Sequence, residues 1–341
     1  MDNEIPPLIV AELSGNHGGS LSKAIALVKS AVNSGADAIK LQTYKPETIT
    51  VQGRGKRFTI QDGLWSGKSL HELYTYAMTP WEWHEPLEKE ASKLGVFLFS
   101  SPFDESAVDF LEHSIKPPIY KIASFELNHF PLLKKIAKTK KPVLASTGVS
   151  TTSEISRAID VLTDHGCPQV ILLHCVSEYP AKFEDFHLHE MPKLGKVHKV
   201  PYGLSDHSEG HIIPVAATAL GARVIEKHFC LDREQNSIDG AFSMLPDEFR
   251  KMTERVHSTH LAMGGREKSD ELLKRKNRHF KRSILVSQKI LAGDVLSKKN
   301  IRIARPADGL CPSKWETVLG KISKTDLEIG HPLNEEDFQS P

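Results

Sequence analysis

The chain has 341 residues, with 44 Lys and Arg against 43 Asp and Glu, a net charge of +1, and 39% hydrophobic residues. Such a length supports one large domain with a sizeable core plus a small second one. The near-neutral charge excludes a basic nucleic-acid footprint, and no apolar stretch reaches the roughly 18 residues of a membrane span. The N-terminal MDNEIPPLIVAEL is acidic with a short apolar run, unlike a signal peptide. Four scattered cysteines, Cys167, Cys175, Cys230 and Cys311, form no CxxC pair. They suit reduced thiols and a cytoplasmic location, not a disulfide framework or a zinc ribbon.

Along the chain, apolar and β-branched runs alternate with helical patterns. The runs are LIVAEL (8–13), AIKLQTY (38–44), FLFSSP (97–102), IYKIAS (119–124), VLASTG (143–148), VILLHC (170–175), PYGLSDH (201–207) and VIEKHF (224–229). Between the first two, LSKAIALVKSAVNSG has apolar residues at helical spacing and a stop at Gly35. DESAVDFLEH opens on Asp104 as an N-cap. TTSEISRAIDVLTDHG has a Ser/Thr cap with Glu154 and a stop at Gly166. VAATALGA reads as a short helix.

Eight β–α units in about 260 residues are the arithmetic of a (β/α)8 barrel. A doubly wound open sheet competes, but no glycine-rich dinucleotide fingerprint follows the first run. The expected fold is therefore α/β, a TIM barrel over residues 1–264. Residues 45–80 form an overlong connection holding Gly53, Gly55, Gly63, Gly67 and Trp65. On a barrel such an insertion lies on the face that carries function; a surface decoration is the alternative. After residue 264, GGREKSDELLKRKNRHFKR is charged and nearly free of large apolar residues, a linker or solvated helix over 265–282. From Ser283 to the end, short strands, an AGD turn and a Pro-rich connection predict a small β-rich domain. Its size makes it marginal alone, so it is expected to dock, for example on a second subunit.

In such a barrel the C-terminal strand ends point into the active site. They carry Glu12, Lys40, Gln42, Ser101, Lys121, Ser124, Glu126, Ser146, His174, Ser177, Tyr179, Ser205, Asp206, His207, Glu226, Lys227 and His228. Alternation puts Glu226 and His228 on one face, with Lys227 pointing away. His207 and His228 end adjacent strands at comparable depth. Two imidazoles can bind a first-row divalent ion in an open site, which suits Mn²⁺, with Mg²⁺ or Co²⁺ as alternatives, used as a Lewis acid. The competing reading is two structural histidines held by hydrogen bonds. Lys40 and Lys121 with Ser101, Ser124, Ser146 and Ser205 suit a phosphate, a carboxylate or both. Alternatively the lysines are buried partners of Glu12, Glu126 or Glu226, or one of them forms a Schiff base.

The ordered set AELSGNHGGSL, DAIKLQTY, FSSPFD, YKIASFE, ASTG, HCVSEYP, GLSDHSEG and IEKHF resembles the sialic acid synthase family over nearly the whole chain. The tail with IRIARPADGL resembles that family's antifreeze-like (SAF) domain. LQTYKPETIT, LWSGKSLHELY, TPWEWH and DGAFSM are similar to the family's pseudaminic acid branch. Ser177 stands where N-acetylneuraminate-making relatives usually carry Asn, and Ser101 where many relatives carry Thr.

The resemblance implies condensation of phosphoenolpyruvate with a 2,4-diacetamido-2,4,6-trideoxyhexose, with release of phosphate. It assigns phosphoenolpyruvate to Lys40, Ser101, Lys121, Ser124, Ser146 and Ser205, with Gln42 in the same substrate-binding set, and the metal to His207 and His228. Glu12 is assigned to the metal-bound water or substrate, and Glu126 to proton transfer. Ser177, Tyr179 and Asp239 lie by the sugar. Arg305 is implied to reach a partner's barrel in a domain-swapped homodimer. Three readings compete: a phosphoenolpyruvate-condensing barrel of the 3-deoxy-octulosonate phosphate kind, a non-catalytic carbohydrate-binding protein, and a metal-dependent hydrolase. The tail argues against the first, the cost of charges in a core against the second, and the shortage of ligands against the third.

Overall fold

Eight parallel strands pair in chain order and close on themselves. They are β1 (Leu8–Glu12), β2 (Ala38–Thr43), β3 (Phe97–Pro102), β4 (Tyr120–Ile122), β5 (Val143–Ser146), β6 (Val170–Cys175), β7 (Tyr202–Asp206) and β8 (Val224–His228). The structure is a computed structural model and describes residues 5–233, 237–264, 275 and 277–341. Closure comes from β1 against β8, where Leu8 to Glu12 run in register with Val224 to His228. Each predicted strand is present, shorter than its apolar run by a few residues at most.

The inward face of the barrel changes character along its axis. Val10, Ala38, Phe99, Leu144, Leu173 and Val224 form one buried apolar cluster. Two residues further along the same strands stand Glu12, Lys40, Ser101, Ser146, Cys175 and Glu226, all buried. Strand alternation puts both sets on one face, so an apolar plug forms the floor beneath a polar mouth.

The opposite face packs on helices. Helix Leu21–Asn33 buries Ala24, Leu27, Val28 and Ala31, and Ser20 caps it by accepting from Lys23 N. Asp104 caps Glu105–Ser114 through Ser106 N and Ala107 N. Thr151 and Glu154 form a capping box on Thr152–Asp164. Chain reversal after the first helix needs Gly35, whose φ is +96° and whose side any Cβ would drive to 2.8 Å from Thr253 Cγ2. Within the long connection 45–80 the chain makes two short helices, Pro46–Ile49 and Leu70–Ala77, and a 3₁₀ turn at Lys56–Phe58.

Contacts divide the chain into two compact units, Met1–Arg266 and Glu267–Pro341. In the second, β9 (Ser283–Val286) pairs antiparallel with β10 (Ile301–Ala304), and β11 (Ile322–Ser323) with β12 (Phe338–Gln339). Its core is Ile284, Val286, Ile290, Leu296, Ile301, Val318, Leu327 and Leu333. Most of the expected charged linker, residues 265–274 and 276, lies outside the described residues. No described helix is long and apolar enough to cross a membrane.

Closure of β7 on β8 depends on Gly203. A Cβ there would lie 2.5 Å from Val224 O and 3.0 Å from Leu173 Cδ2. Gly203→Ala should lower stability by about 1–3 kcal/mol through overpacking, read as a lower urea midpoint. An unchanged midpoint would show that the two strands can part to admit a methyl group.

Candidate active site

The polar mouth is organised by acidic and basic side chains from four strands. Lys40 Nζ lies 2.5 Å from Glu12 Oε2 and 3.4 Å from Glu226 Oε1, and Lys121 Nζ lies 3.7 Å from the same Glu226 oxygen. Ser205 Oγ donates to Glu226 Oε1 at 3.2 Å, and Lys40 Nζ donates to Ser101 Oγ at 3.4 Å. Gln42 holds Glu12 from the far side, its Nε2 donating to Glu12 Oε1 at 3.1 Å and to Ser14 Oγ at 3.2 Å. Several buried atoms have no hydrogen-bond partner among the described residues, including Ser146 Oγ, Glu126 Oε2 and Glu226 Oε2. Buried polar atoms are rarely left so, and here they mark where a polar ligand fits.

Beside this network stand the two imidazoles. The His207 and His228 rings are 5.2 Å apart between centroids. His207 Nδ1 donates to Val176 O at 2.8 Å, which leaves the lone pair on Nε2 in the neutral ring. His228 Nδ1 lies 3.4 Å from Asp239 Oδ2, misaligned for a hydrogen bond, and has no other partner among the described residues. A nitrogen with a free lone pair and a buried orphan nitrogen together fit a divalent ion. No group of three or more His, Cys, Asp or Glu suited to a metal occurs among the described residues, so protein would supply few of its ligands.

Asp239 is placed by Asn16, whose Oδ1 accepts from Asp239 N at 3.0 Å while its Nδ2 donates to Phe229 O at 3.0 Å and Ser243 Oγ at 2.9 Å. An aromatic wall continues from the histidines. Tyr179 lies 4.5 Å from His207, 5.3 Å from Phe242 and 5.6 Å from Trp65. Trp65 reaches this wall from the long connection and donates to Ile238 O at 3.1 Å.

Residues 27–268 of the chain match the NeuB family, and residues 281–339 match the SAF domain. The chain belongs to the NeuB family. It is 43% identical to the pseudaminic acid synthase of Campylobacter jejuni, covering 97% of this chain and 96% of that protein. It is 35% identical to the N,N'-diacetyllegionaminic acid synthase of the same species, covering 96% and 99%. Its structure resembles that of an N-acetylneuraminic acid synthetase from Leptospira borgpetersenii in complex with citrate, with a TM-score of 0.70, 30% identity, and coverage of 81% of this chain and 92% of that one.

In this NeuB barrel the two lysines are driven in opposite directions. Burial lowers Lys40, but Glu12 and Glu226 outweigh it, and its pKa is raised. Burial also lowers Lys121; Glu226 opposes and the like charge of Lys40 adds, leaving it below the usual lysine range. Glu226 itself is held low by Lys121 and Lys40 against its burial.

Glu226, which the sequence offers with Glu12 and Glu126 as an alternative partner for the lysines, takes that place here beside both of them. His174 is the strand-end candidate of β6 that does not reach the mouth. That ring faces outward and bonds Phe186 O at 2.6 Å, and the inward residue is Cys175, whose Sγ lies 3.9 Å from His207 Nδ1. Ser124 Oγ accepts from Gly148 N at 3.2 Å, and Ser177 Oγ lies 3.7 Å from Cys175 Sγ. Arg305 lies in the second unit, exposed, with no side-chain hydrogen bond or ion pair among the described residues. A cavity of about 660 Å³ at Lys199, Tyr202, Gly221 and His260 lies by the N-terminal ends of β7 and β8 and contains none of the predicted site residues.

Burial pushes the Glu126 carboxyl up to about 7, against the attraction of Lys121. A carboxyl raised on folding contributes stability that is complete below its unfolded pKa and is lost as pH rises through its folded one. Stability should therefore fall between about pH 4.5 and pH 7, and Glu126→Gln should flatten that slope. Parallel urea midpoints for parent and variant across the range would contradict the assignment.

Proposed function

We propose that the protein condenses phosphoenolpyruvate with the open-chain aldehyde of a 2,4-diacetamido-2,4,6-trideoxyhexose, the L-altro form, to give pseudaminic acid and phosphate. The observation that carries this reading is one barrel mouth holding two buried lysines, several hydroxyls and a pair of imidazoles. The higher identity to the pseudaminic than to the legionaminic synthase supports the acceptor.

Lys40 and Lys121, with Ser101, Ser124, Ser146 and Ser205, bind the phosphate and carboxylate of phosphoenolpyruvate; Gln42 keeps Glu12 in place. Lys121, held below its usual range, gains an anionic partner when the substrate arrives. His207 and His228 would hold a divalent ion, Mn²⁺ in preference to Mg²⁺ or Co²⁺, which would supply Lewis acidity for the addition. C3 of phosphoenolpyruvate attacks the aldehyde carbon, and C2 develops oxocarbenium character. C2 then takes up water, and the tetrahedral carbon expels phosphate with C–O cleavage. Glu126, with a pKa of about 7, can both give and take a proton at neutral pH. Glu12 orients the attacking water or the sugar, and Asp239, Ser177 and Tyr179 line the acceptor side.

We place the reaction in the cytoplasm, which the four free cysteines support. The domain assignment that goes with this reading is a catalytic barrel over 1–264, a linker over 265–282 and a SAF domain over 283–341. The working unit is a domain-swapped homodimer in which Arg305 of one chain contacts the sugar held by its partner's barrel; an exposed, unpaired Arg305 is consistent with that use.

The first test is phosphate release from phosphoenolpyruvate with Mn²⁺ and a panel of acceptors: the altro sugar, its manno-configured counterpart and N-acetylmannosamine. Release with the altro sugar alone is expected. Release with another acceptor would keep the chemistry and move the branch to legionaminic or N-acetylneuraminic acid. No release from folded, metal-loaded protein would favour a carbohydrate-binding protein. Mixing Arg305→Ala chains with His228→Ala chains should restore part of the activity that each lacks, because some mixed dimers carry one intact site. Absence of complementation would mean that Arg305 acts within its own chain or not at all.

A further inference from the structure

Directly behind the two imidazoles, on the outward face of the barrel, sits an ion pair with almost no access to water. Lys227 is 0% exposed and Asp206 1%, and Lys227 Nζ lies 2.6 Å from Asp206 Oδ2. Their surroundings are those of a barrel–helix layer: the flanking outward residues Leu204, Ile225 and Phe229 all belong to the main apolar core. Replacing such a pair by apolar residues is often neutral or stabilising, so net stability is a poor reason for its presence. Its connections point to another reason.

Asp206 and Lys227 are register partners at the ends of β7 and β8. Each immediately precedes one of the imidazoles, His207 and His228. Asp206 Oδ1 accepts from Ser208 N at 2.9 Å, and Lys227 Nζ donates to Ser208 O. The residue after His207 is thus held at both its amide and its carbonyl. One of the two holds comes from the side chain that precedes His228. His207 O in turn accepts from Ala181 N at 3.0 Å, and His228 O accepts from Met244 N at 2.9 Å. The last hydrogen-bonded register pair of these strands is this ion pair, and the histidines lie one residue beyond it.

We infer that Asp206 and Lys227 form a brace that sets the separation of His207 and His228 and so tunes the affinity of the site for a divalent ion. The inference rests on the metal reading above. Both side chains are positioning residues; neither faces the barrel mouth.

The test titrates the full-length protein with Mn²⁺ alone, reading free Mn²⁺ by electron paramagnetic resonance, with no turnover involved. Asp206→Asn/Lys227→Met removes the ion pair while keeping an acceptor for Ser208 N and the aliphatic stem. Its Mn²⁺ dissociation constant should rise about tenfold, the low end of what losing groups that orient metal ligands costs. Phosphoenolpyruvate binding, measured by calorimetry in EDTA, should stay within twofold of the parent, because Lys40 and Lys121 come from β2 and β4; general damage to the barrel would move both. Lys227→Arg, which keeps the charge but changes its shape, should show a smaller loss of Mn²⁺ affinity. Parent-like Mn²⁺ binding in the folded double variant would overturn the brace. So would failure of both variants to fold, which would make the pair an element of the fold itself. The metal reading fails separately, if the parent binds no Mn²⁺ or if His207→Ala binds it as tightly.

Discussion

Glu226 Oε1 accepts from Ser205 and lies within 3.7 Å of the ammonium groups of both Lys40 and Lys121; the barrel mouth is arranged around that one oxygen. Charges removed from water are costly unless paired and hydrogen-bonded. Two lysines could not stand side by side here without a carboxylate between them, and one carboxylate could not satisfy both equally. Glu12 resolves this by taking Lys40, at 2.5 Å, and leaves Lys121 with the weaker share. The opposite pKa directions of the two lysines follow from that unequal division. An arriving anion finds one lysine already committed and another short of negative charge, an asymmetry suited to binding a substrate with two different acidic groups.

The same strand ends do two jobs, separated by the two-residue period of a β-strand. Inward positions form the polar mouth and outward positions support it. At the end of β2, Lys40 and Gln42 face the mouth, whereas Thr43 bonds Ser100 Oγ at 2.6 Å and His84 Nε2 at 2.7 Å on the other side. At the ends of β7 and β8, Ser205, Glu226 and the histidines face the mouth, and Asp206 and Lys227 are paired behind them. Beneath both, the apolar plug of Val10, Phe99, Leu144 and Leu173 closes the barrel. That floor makes the mouth a dead end, where polar groups with free valences must be met by substrate, ion or water.

Loops bring the remaining parts. Trp65 is far in sequence from Ile238, yet its indole is fixed to that carbonyl and lies tilted against Tyr179. The long connection after β2 is thereby part of the aromatic wall beside the imidazoles. Asn16, from the turn after β1, holds the loop that presents Asp239. Trp65 is conspicuous in the sequence as part of the long connection, but its partner is not, and an Asn in a turn has many ordinary uses.

The strands, their order and the polar character of their C-terminal ends were legible in the chain by itself, because period-2 and period-3.6 patterns are local and each run is flanked by its own stop signals. So were Glu12, Lys40, Lys121, His207 and His228, since a charged residue ending an apolar run is conspicuous. Parity was equally available, and applied to β6 it selects Cys175 over His174. What only the tertiary structure decided was partnership. Glu226 of β8 meets Lys40 through the register of β1 with β8 and of β2 with β1, and meets Lys121 of β4 across the closed barrel. Asp206 becomes a brace only because Lys227 stands opposite it. Those pairings depend on how the barrel closes, between residues from 21 positions apart upward, and no local pattern in a sequence encodes which of several candidate neighbours a buried charge will find.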